Sequence, residues 1–195
     1  MTAQSSDPKQ IKLASGFTVA DYESAKAQDR DKVADALRRR FVERYIDPVT
    51  PHKNKQMHGF TMMAVSCLMI EAFEAFAQGW KDSKGKSERA FCLFFASNNQ
   101  FVGFRGYSAP FYKNVRCGIL HQAETTGGWK ITRRSNARLF DPSPLPTVNA
   151  TLFLQQLRVV IDGFCNRLKT VDWNSSEEWR NVHTKMKELC KNCGP

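Results

Sequence analysis

Apolar residues recur at helical spacing along most of the chain, and this pattern predicts a mostly helical fold. In 26–46 an apolar or aromatic residue returns every fourth position, through Val33, Leu37 and Phe41. Further helices are predicted over 57–80, 88–97, 108–125, 149–168 and 175–189, with Ser108 and Asn149 as N-caps. The expected fold class is all-α, a bundle of about five helices.

One short segment favours strands instead. The stretches "WKITRR" and "ARLFD", separated by "SN", come after the helix terminators Gly127 and Gly128. Their β-branched and aromatic residues predict one small β-hairpin.

The chain is expected to hold one domain with an N-terminal extension. Residues 1–22 are polar, contain Pro8 and Gly16, and show no sustained period, so we predict a flexible arm there. The remainder, 23–195, is long enough to bury one sizeable core as a single domain.

The most apolar helix, over 57–80, carries its few polar groups on one face. Cys67, Glu71, Glu74 and Gln78 lie at i, i+4, i+7 and i+11. Because charged side chains are usually solvated, exposure of this stripe is the first expectation. The alternative is that Glu71 or Glu74 orients one of two candidate site residues further along the chain, Arg116 or His121. The same acids interrupt the roughly 18 apolar residues of a membrane span, so no membrane partner is predicted.

The net charge and the positions of the cysteines indicate the chemical class of the partner and the cellular compartment. A formal net charge of +10 favours an anionic partner such as nucleic acid. Basic groups for RNA would come from Arg38 to Arg40, from the 81–89 loop and from 130–134. Since the N-terminus carries no secretory signal pattern and the six cysteines lie in apolar helical patterns, a cytoplasmic location is predicted.

The predicted 108–125 helix carries the candidate chemistry. An arginine, Arg116, precedes His121 by five positions, and these groups can respectively hold a phosphate and move a proton near neutral pH. On a regular helix Asn114, Cys117 and His121 share one face, with Arg116 about 140° from His121. Two such helices related by a two-fold axis would bring both pairs into one cleft, so a homodimer is predicted. Gly118 suits a place where another backbone or a ligand comes close.

The segment "RCGILH", in an apolar helix of an all-helical protein, resembles the R-x4-6-H signature of the HEPN superfamily. The next segment, "QAETTGGWKI", together with the hairpin and "NATLFLQQL", is similar to a bacterial, mobile-element branch of that superfamily. The resemblance covers roughly 57–168. It implies a metal-independent endoribonuclease, without cofactor, that acts as a toxin or a phage-defence component.

The resemblance also implies roles for residues. Arg116 would bind the scissile phosphate, and His121 would act as general base or acid while the 2′-hydroxyl of the RNA attacks. Asn114 would orient the imidazole or contact the phosphate. Lys113 and Tyr112 would touch RNA nearby.

Other interpretations stay open from the sequence alone. Many active members carry a polar residue where this chain has Cys117, which favours an inactive HEPN-like module that binds RNA, an antitoxin or a nucleotidyltransferase-like partner. A second alternative is a structural zinc staple formed by Cys117 and His121 with Cys190 and Cys193. The plainest alternative makes His121 a core histidine and Arg116 an ion-pair partner of Glu124 or of the acids in 57–80.

Overall fold

Helices form most of the protein, as the sequence pattern predicts. The computed structural model describes residues 7–50 and 58–193, and the chain is 67% helical. The α-helices are α1 Val19–Ala25, α2 Arg30–Phe41, α3 Gly59–Ala77, α4 Ser87–Ser97, α5 Ser108–Phe111, α6 Cys117–Gln122, α7 Ala150–Thr170 and α8 Glu177–Lys191. The all-α class is confirmed, with more helices than the predicted five.

Segments of 3₁₀ helix and π-helix and five short strands complete the described chain. The 3₁₀ segments are Pro8–Gln10, Asp47–Val49 and Asn99–Tyr107, and the π-helical segments are Val42–Ile46 and Tyr112–Arg116. The strands are β1 Lys12–Ala14, β2 Phe17–Thr18, β3 Lys130–Thr132, β4 Phe140–Asp141 and β5 Thr147–Asn149.

Two compact units divide the chain. The terminal unit comprises the described parts of Met1–Arg44, Ala75–Asp82 and Ile161–Pro195, and the central unit comprises those of Tyr45–Glu74 and Ser83–Val160. The sequence predicted a single domain over 23–195. The long helices α3 and α7 each supply residues to both units, and the single domain stays a prediction.

The terminal unit includes the described part of the predicted flexible arm, which is structured from residue 7 onward. Strands β1 and β2 pair antiparallel, and Leu13, Phe17 and Tyr22 are buried. Thr18 and Asp21 form a capping box at the start of α1. The polar composition concealed these few apolar anchors, which are sufficient to hold a short hairpin. Residues 1–6 of the predicted arm lie outside the described part.

Arginines of α2 and its π-helical extension help to hold that hairpin. Arg40 Nη1 donates to Leu13 O at 2.7 Å, and Arg44 Nη2 donates to the same carbonyl oxygen at 3.2 Å. Arg38 Nε donates to Asp162 Oδ1 at 2.7 Å. Arg38 and Arg40 therefore have structural partners within the protein, and their role in RNA binding stays a prediction.

A cluster of phenylalanines forms the core of the central unit. The fully buried members are Phe91, Phe94, Phe95, Phe101, Phe104, Phe111 and Phe153. Phe104 stacks on Phe140 of β4, with ring centroids 4.5 Å apart, and Phe111 stacks on Phe153 of α7 at 5.6 Å. This aromatic packing links α4, α5, α7 and the small sheet into one core.

The predicted hairpin of "WKITRR" and "ARLFD" is wrong. In the three-stranded sheet β5 lies in the middle, parallel to β3 and antiparallel to β4. Asn149 at the end of β5 is buried, its Nδ2 donates to Arg134 O at 2.9 Å, and its Oδ1 accepts from Thr151 N and Leu152 N. One side chain thus holds the β3–β4 connection and caps α7, and the predicted N-cap at Asn149 is confirmed.

Helix α3 is long and apolar enough to cross a membrane by length and composition. Its apolar window has a mean hydropathy of 1.5, and 61% of that window is buried inside the protein. Burial of this kind is typical of the core helix of a soluble protein.

Candidate functional site

The segment carrying Arg116 and His121 is not one regular helix. Helix α5 passes into the π-helical turn Tyr112–Arg116 and then into α6, which ends at Ala123 with φ of 55°. A π turn holds an extra residue and rotates the residues after it, so the common face expected for Asn114, Cys117 and His121 does not result from regular helix geometry. Ser108 is not the N-cap, because its Oγ instead donates to Arg105 O at 3.3 Å.

Two residues of this segment hold the loop after α6. A Cβ on Gly118 would lie 2.5 Å from Glu124 O, so only glycine lets the loop backbone approach here. Asn114 O accepts from Thr126 N at 2.9 Å, and Asn114 Oδ1 accepts from Thr126 Oγ1 at 3.0 Å. The close approach predicted at Gly118 is confirmed. Asn114 secures this loop, and its contact with His121 or the phosphate stays a prediction.

Glu71 and Arg116 form a largely buried ion pair. Arg116 Nε donates to Glu71 Oε1 at 2.8 Å, and the side chains are 16% and 9% exposed. The second carboxylate oxygen of Glu71 accepts from Ser87 Oγ at 2.7 Å. Glu71 therefore orients Arg116. The sequence left this role open as the alternative to solvent exposure of Glu71.

The predicted solvation of the acidic stripe on α3 is wrong. Glu71 is 7% exposed and Glu74 is 2% exposed, and Glu74 also has an interaction partner. Burial is tolerated at Glu71 because the guanidinium compensates its charge and Ser87 satisfies its other oxygen. Ser87 and Glu71 are 16 positions apart, and no spacing in the sequence pairs them, so this contact was missed.

The cluster keeps Arg116 charged. Burial lowers the pKa of Arg116, but the hydrogen bond and charge of Glu71 outweigh it, so the net pKa is raised. Burial raises the pKa of the neighbouring Cys67 thiol. Burial and a hydrogen bond with Cys117 raise the pKa of Tyr112, whose ring centroid lies 5.6 Å from Arg116 Cζ.

A groove of about 540 Å³ opens beside this cluster. We call it the Tyr112 groove, and its lining includes Glu88, Pro110, Tyr112, Lys113, Asn114 and Cys117. Glu88 and Lys113 are exposed at its edge. Sequence reasoning missed Glu88, because only the packing of α4 against α5 brings its first turn to this segment.

His121 lies on α6 with its side chain exposed. Among the described residues it makes no hydrogen bond or ion pair, and none joins it to Arg116. The core-histidine interpretation is therefore wrong. Within the described chain the structure brings together Arg116, Glu71, Tyr112 and Cys117, while His121 remains in solvent.

Metal binding finds little support in the part of the chain that the structure describes. Within 7–50 and 58–193, no group of three or more histidine, cysteine, aspartate or glutamate side chains could hold a metal ion. Cys117, Cys190 and Cys193 are all free thiols. The zinc-staple alternative is not supported by these residues.

Comparisons with known proteins leave the family open. No family model, curated protein or solved structure matches the chain. The HEPN resemblance consequently rests on the sequence alone.

Proposed function

We propose that the protein is a HEPN-like, metal-independent endoribonuclease that acts in the cytoplasm as a toxin or a phage-defence component. The observation that carries the proposal is the contrast between two groups in neighbouring turns. The guanidinium of Arg116 is held in place by Glu71, whereas the imidazole of His121 is exposed and has no partner among the described residues. A fixed cation and an accessible acid–base group suit phosphodiester cleavage when a second copy of the chain brings them to one cleft.

The reaction would proceed by attack of the RNA's own 2′-hydroxyl. A neutral His121 takes the proton of that hydroxyl, the 2′-oxygen bonds to phosphorus, and the bond from phosphorus to the 5′-oxygen breaks. The leaving oxygen takes a proton from water, and the imidazolium returns its proton to the hydroxide that forms. Arg116 stabilises the charge on the phosphate oxygens. The products are a 2′,3′-cyclic phosphate and a 5′-hydroxyl.

The proposed site is shared by two copies of the chain. Support comes from the separation of the two groups within one chain, since Arg116 is largely buried and His121 is exposed. Two apolar side chains are exposed on α3 and α6: Leu68 of α3 is 46% exposed, and Leu120 of α6 is 39% exposed. A second copy covering these side chains would bring its own His121 to the shared cleft.

One observation favours a second candidate, an inactive module that binds RNA, an antitoxin or a nucleotidyltransferase-like partner. Only 16% of the Arg116 side chain is exposed, and its Nε is already engaged by Glu71. Cys117 also occupies the place where many active HEPN proteins carry a polar residue. In this case Arg116 would serve folding rather than catalysis.

An RNA cleavage assay in excess EDTA separates the two candidates. Wild type is expected to cleave total bacterial RNA and to leave cyclic-phosphate ends, identified by mass spectrometry, while His121→Ala and Arg116→Ala are inactive. The matched control is Lys187→Ala, which removes a positive charge far along the sequence on α8. Equal activity of wild type and His121→Ala would refute the proposal, and an inactive but folded wild-type dimer would favour the binding module.

Mixing the two inactive variants tests the shared site. If Arg116 and His121 act across chains, heterodimers of Arg116→Ala with His121→Ala contain one intact pair, and part of the activity returns. If both groups act within one chain, the mixture stays inactive. Denaturing and refolding the variants together ensures exchange of subunits.

A further inference from the structure

The Tyr112 groove holds two charged groups that the proposed cleavage reaction does not use. Glu88, in the first turn of α4, and Lys113 both line the groove and are exposed. Within the described residues neither side chain makes a hydrogen bond or an ion pair. A carboxylate and an ammonium group on one groove, neither in a hydrogen bond or ion pair with another described residue, suit a ligand that carries both hydrogen-bond donors and negative charge.

We propose that the Tyr112 groove binds a guanine base of the RNA, next to the phosphate held by Arg116. Glu88 accepts hydrogen bonds from the base, and Lys113 contacts the adjoining backbone phosphate. This inference rests on the proposed function, because RNA is taken as the ligand, and it adds the substrate preference of the same site.

The choice of guanine comes from the donor pattern of the bases. An ionised carboxylate only accepts hydrogen bonds, and its two oxygens match two neighbouring N–H donors. Guanine presents such a pair, N1–H and N2–H, on its Watson–Crick edge. Adenine and cytosine place an acceptor beside their amino group, and uracil has acceptors on both sides of its single N–H. Single-stranded RNA exposes these edges to proteins.

The size and walls of the groove agree with this occupant. Its volume of about 540 Å³ lies in the range of small-molecule sites. Pro110 and Tyr112 supply apolar surface for a flat base. Arg116 Cζ lies 5.6 Å from the centroid of the Tyr112 ring, which lines the groove, so the guanidinium is near a base bound there.

Binding of RNA analogues that cannot be cleaved tests the inference. The probes are 2′-O-methyl pentanucleotides of uridine whose central base is guanine, adenine, cytosine or uracil, since they lack the 2′-hydroxyl nucleophile. Wild type is expected to bind the guanine probe roughly tenfold more tightly than the others. Glu88→Gln, which replaces one acceptor by a donor, removes this preference. Lys113→Met weakens all four probes equally.

Glu177→Gln is the matched control, because Glu177 is an exposed acid in the first turn of another helix, α8. It is expected to keep the wild-type preference. Equal binding of the four probes to wild type, or an undiminished guanine preference in folded Glu88→Gln, would overturn the inference. If Glu88→Gln does not fold, Glu88→Asp withdraws the carboxylate by one methylene and must also weaken the preference.

The outcomes distinguish this inference from the proposed function. A guanine preference that depends on Glu88, in a protein that cleaves no RNA, supports the groove and refutes the nuclease. Cleavage that depends on His121, without any guanine preference in binding, supports the nuclease and refutes the groove assignment.

Discussion

Glu71 on α3 and Arg116 at the end of the π turn, 45 positions apart in the chain, form an ion pair in which Nε and Oε1 are 2.8 Å apart. Ser87 satisfies the second oxygen of Glu71, and both charged side chains are largely buried. The pair and Ser87 together join three elements of the central unit at the point where the candidate chemistry begins. The contribution of this pair to the free energy of unfolding can therefore be measured independently of catalysis.

Removal of the Glu71 carboxylate should destabilise the protein strongly. In Glu71→Ala the guanidinium of Arg116 remains partly buried without its partner, and we expect a loss of about 3 kcal/mol in the free energy of unfolding. Ser87→Ala removes only a neutral donor and should cost about 1 kcal/mol. Urea unfolding at neutral pH measures both. A Glu71→Ala variant as stable as Ser87→Ala would contradict the assignment of a buried pair.

His121 should be dispensable for folding. Because its side chain is exposed and without a hydrogen bond among the described residues, His121→Ala is expected to change the free energy of unfolding by less than about 0.5 kcal/mol. Trp179→Ala, which removes a fully buried ring, serves as the destabilising comparison and should cost about 4 kcal/mol. Thermal unfolding of His121→Ala well below the wild-type temperature would show a structural role for this histidine.

Gly118 and Gly163 should respond in opposite directions to alanine. The new Cβ at position 118 would lie 2.5 Å from Glu124 O, so the loop must move and we expect a loss of about 2 kcal/mol. At Gly163, on an exposed face of α7, no atom of the described residues lies within 4 Å of a new Cβ. Gly163→Ala is expected to gain about 0.7 kcal/mol from helix propensity. Equal effects at the two sites, measured by denaturant unfolding, would count against the close approach of the loop.

Stability of the terminal unit should fall as the pH drops below about 6.5. Burial, and then the charge of Lys26, lower the pKa of His183 below its ordinary value of 6.5, and its Nδ1 lies 3.0 Å from the Tyr22 hydroxyl. The unfolded chain therefore binds a proton first as pH falls, so this contribution is complete above pH 6.5 and is lost as the pH decreases toward the pKa of the folded state.

Comparison of variants isolates that contribution. The pH dependence of the unfolding free energy between pH 7.5 and about 5 is expected to be shallower in His183→Gln than in wild type. Tyr22→Phe removes the hydroxyl but keeps the burial that is the main cause of the shift, so it should retain most of the dependence. An unchanged slope in His183→Gln would contradict the lowered pKa.

RNA binding should depend on Lys113 and not on Arg40. Lys113 is exposed on the Tyr112 groove, whereas Arg40 donates to Leu13 O. Lys113→Ala is expected to weaken binding and to reduce the slope of log K against log salt concentration by about one. Arg40→Ala should leave that slope unchanged at temperatures where the variant is folded. A lower slope of log K against log salt concentration in Arg40→Ala would indicate that α2 contacts RNA.

The fold class and several local features could be predicted from the sequence by itself. Helical spacing of apolar residues predicted α3 and α7 closely, Asn149 was identified as a cap, and Gly118 was placed at a close backbone approach. These features depend on residues near one another in the chain. Periodicity, capping and the space around one glycine are local properties, so they can be inferred without the tertiary structure.

The site was decided by contacts between distant segments. Glu71 is buried against Arg116 and Ser87, Glu88 meets the α5 segment across a groove, and β5 lies between the two strands expected to form a hairpin. A spacing rule assigns one face of one helix, and it cannot say which partner compensates a buried charge. The π turn at Tyr112–Arg116 also changes the direction in which the side chains of α6 point. Only tertiary packing determines which polar groups leave solvent, because the free energy of burying a charge depends on the partner that it meets.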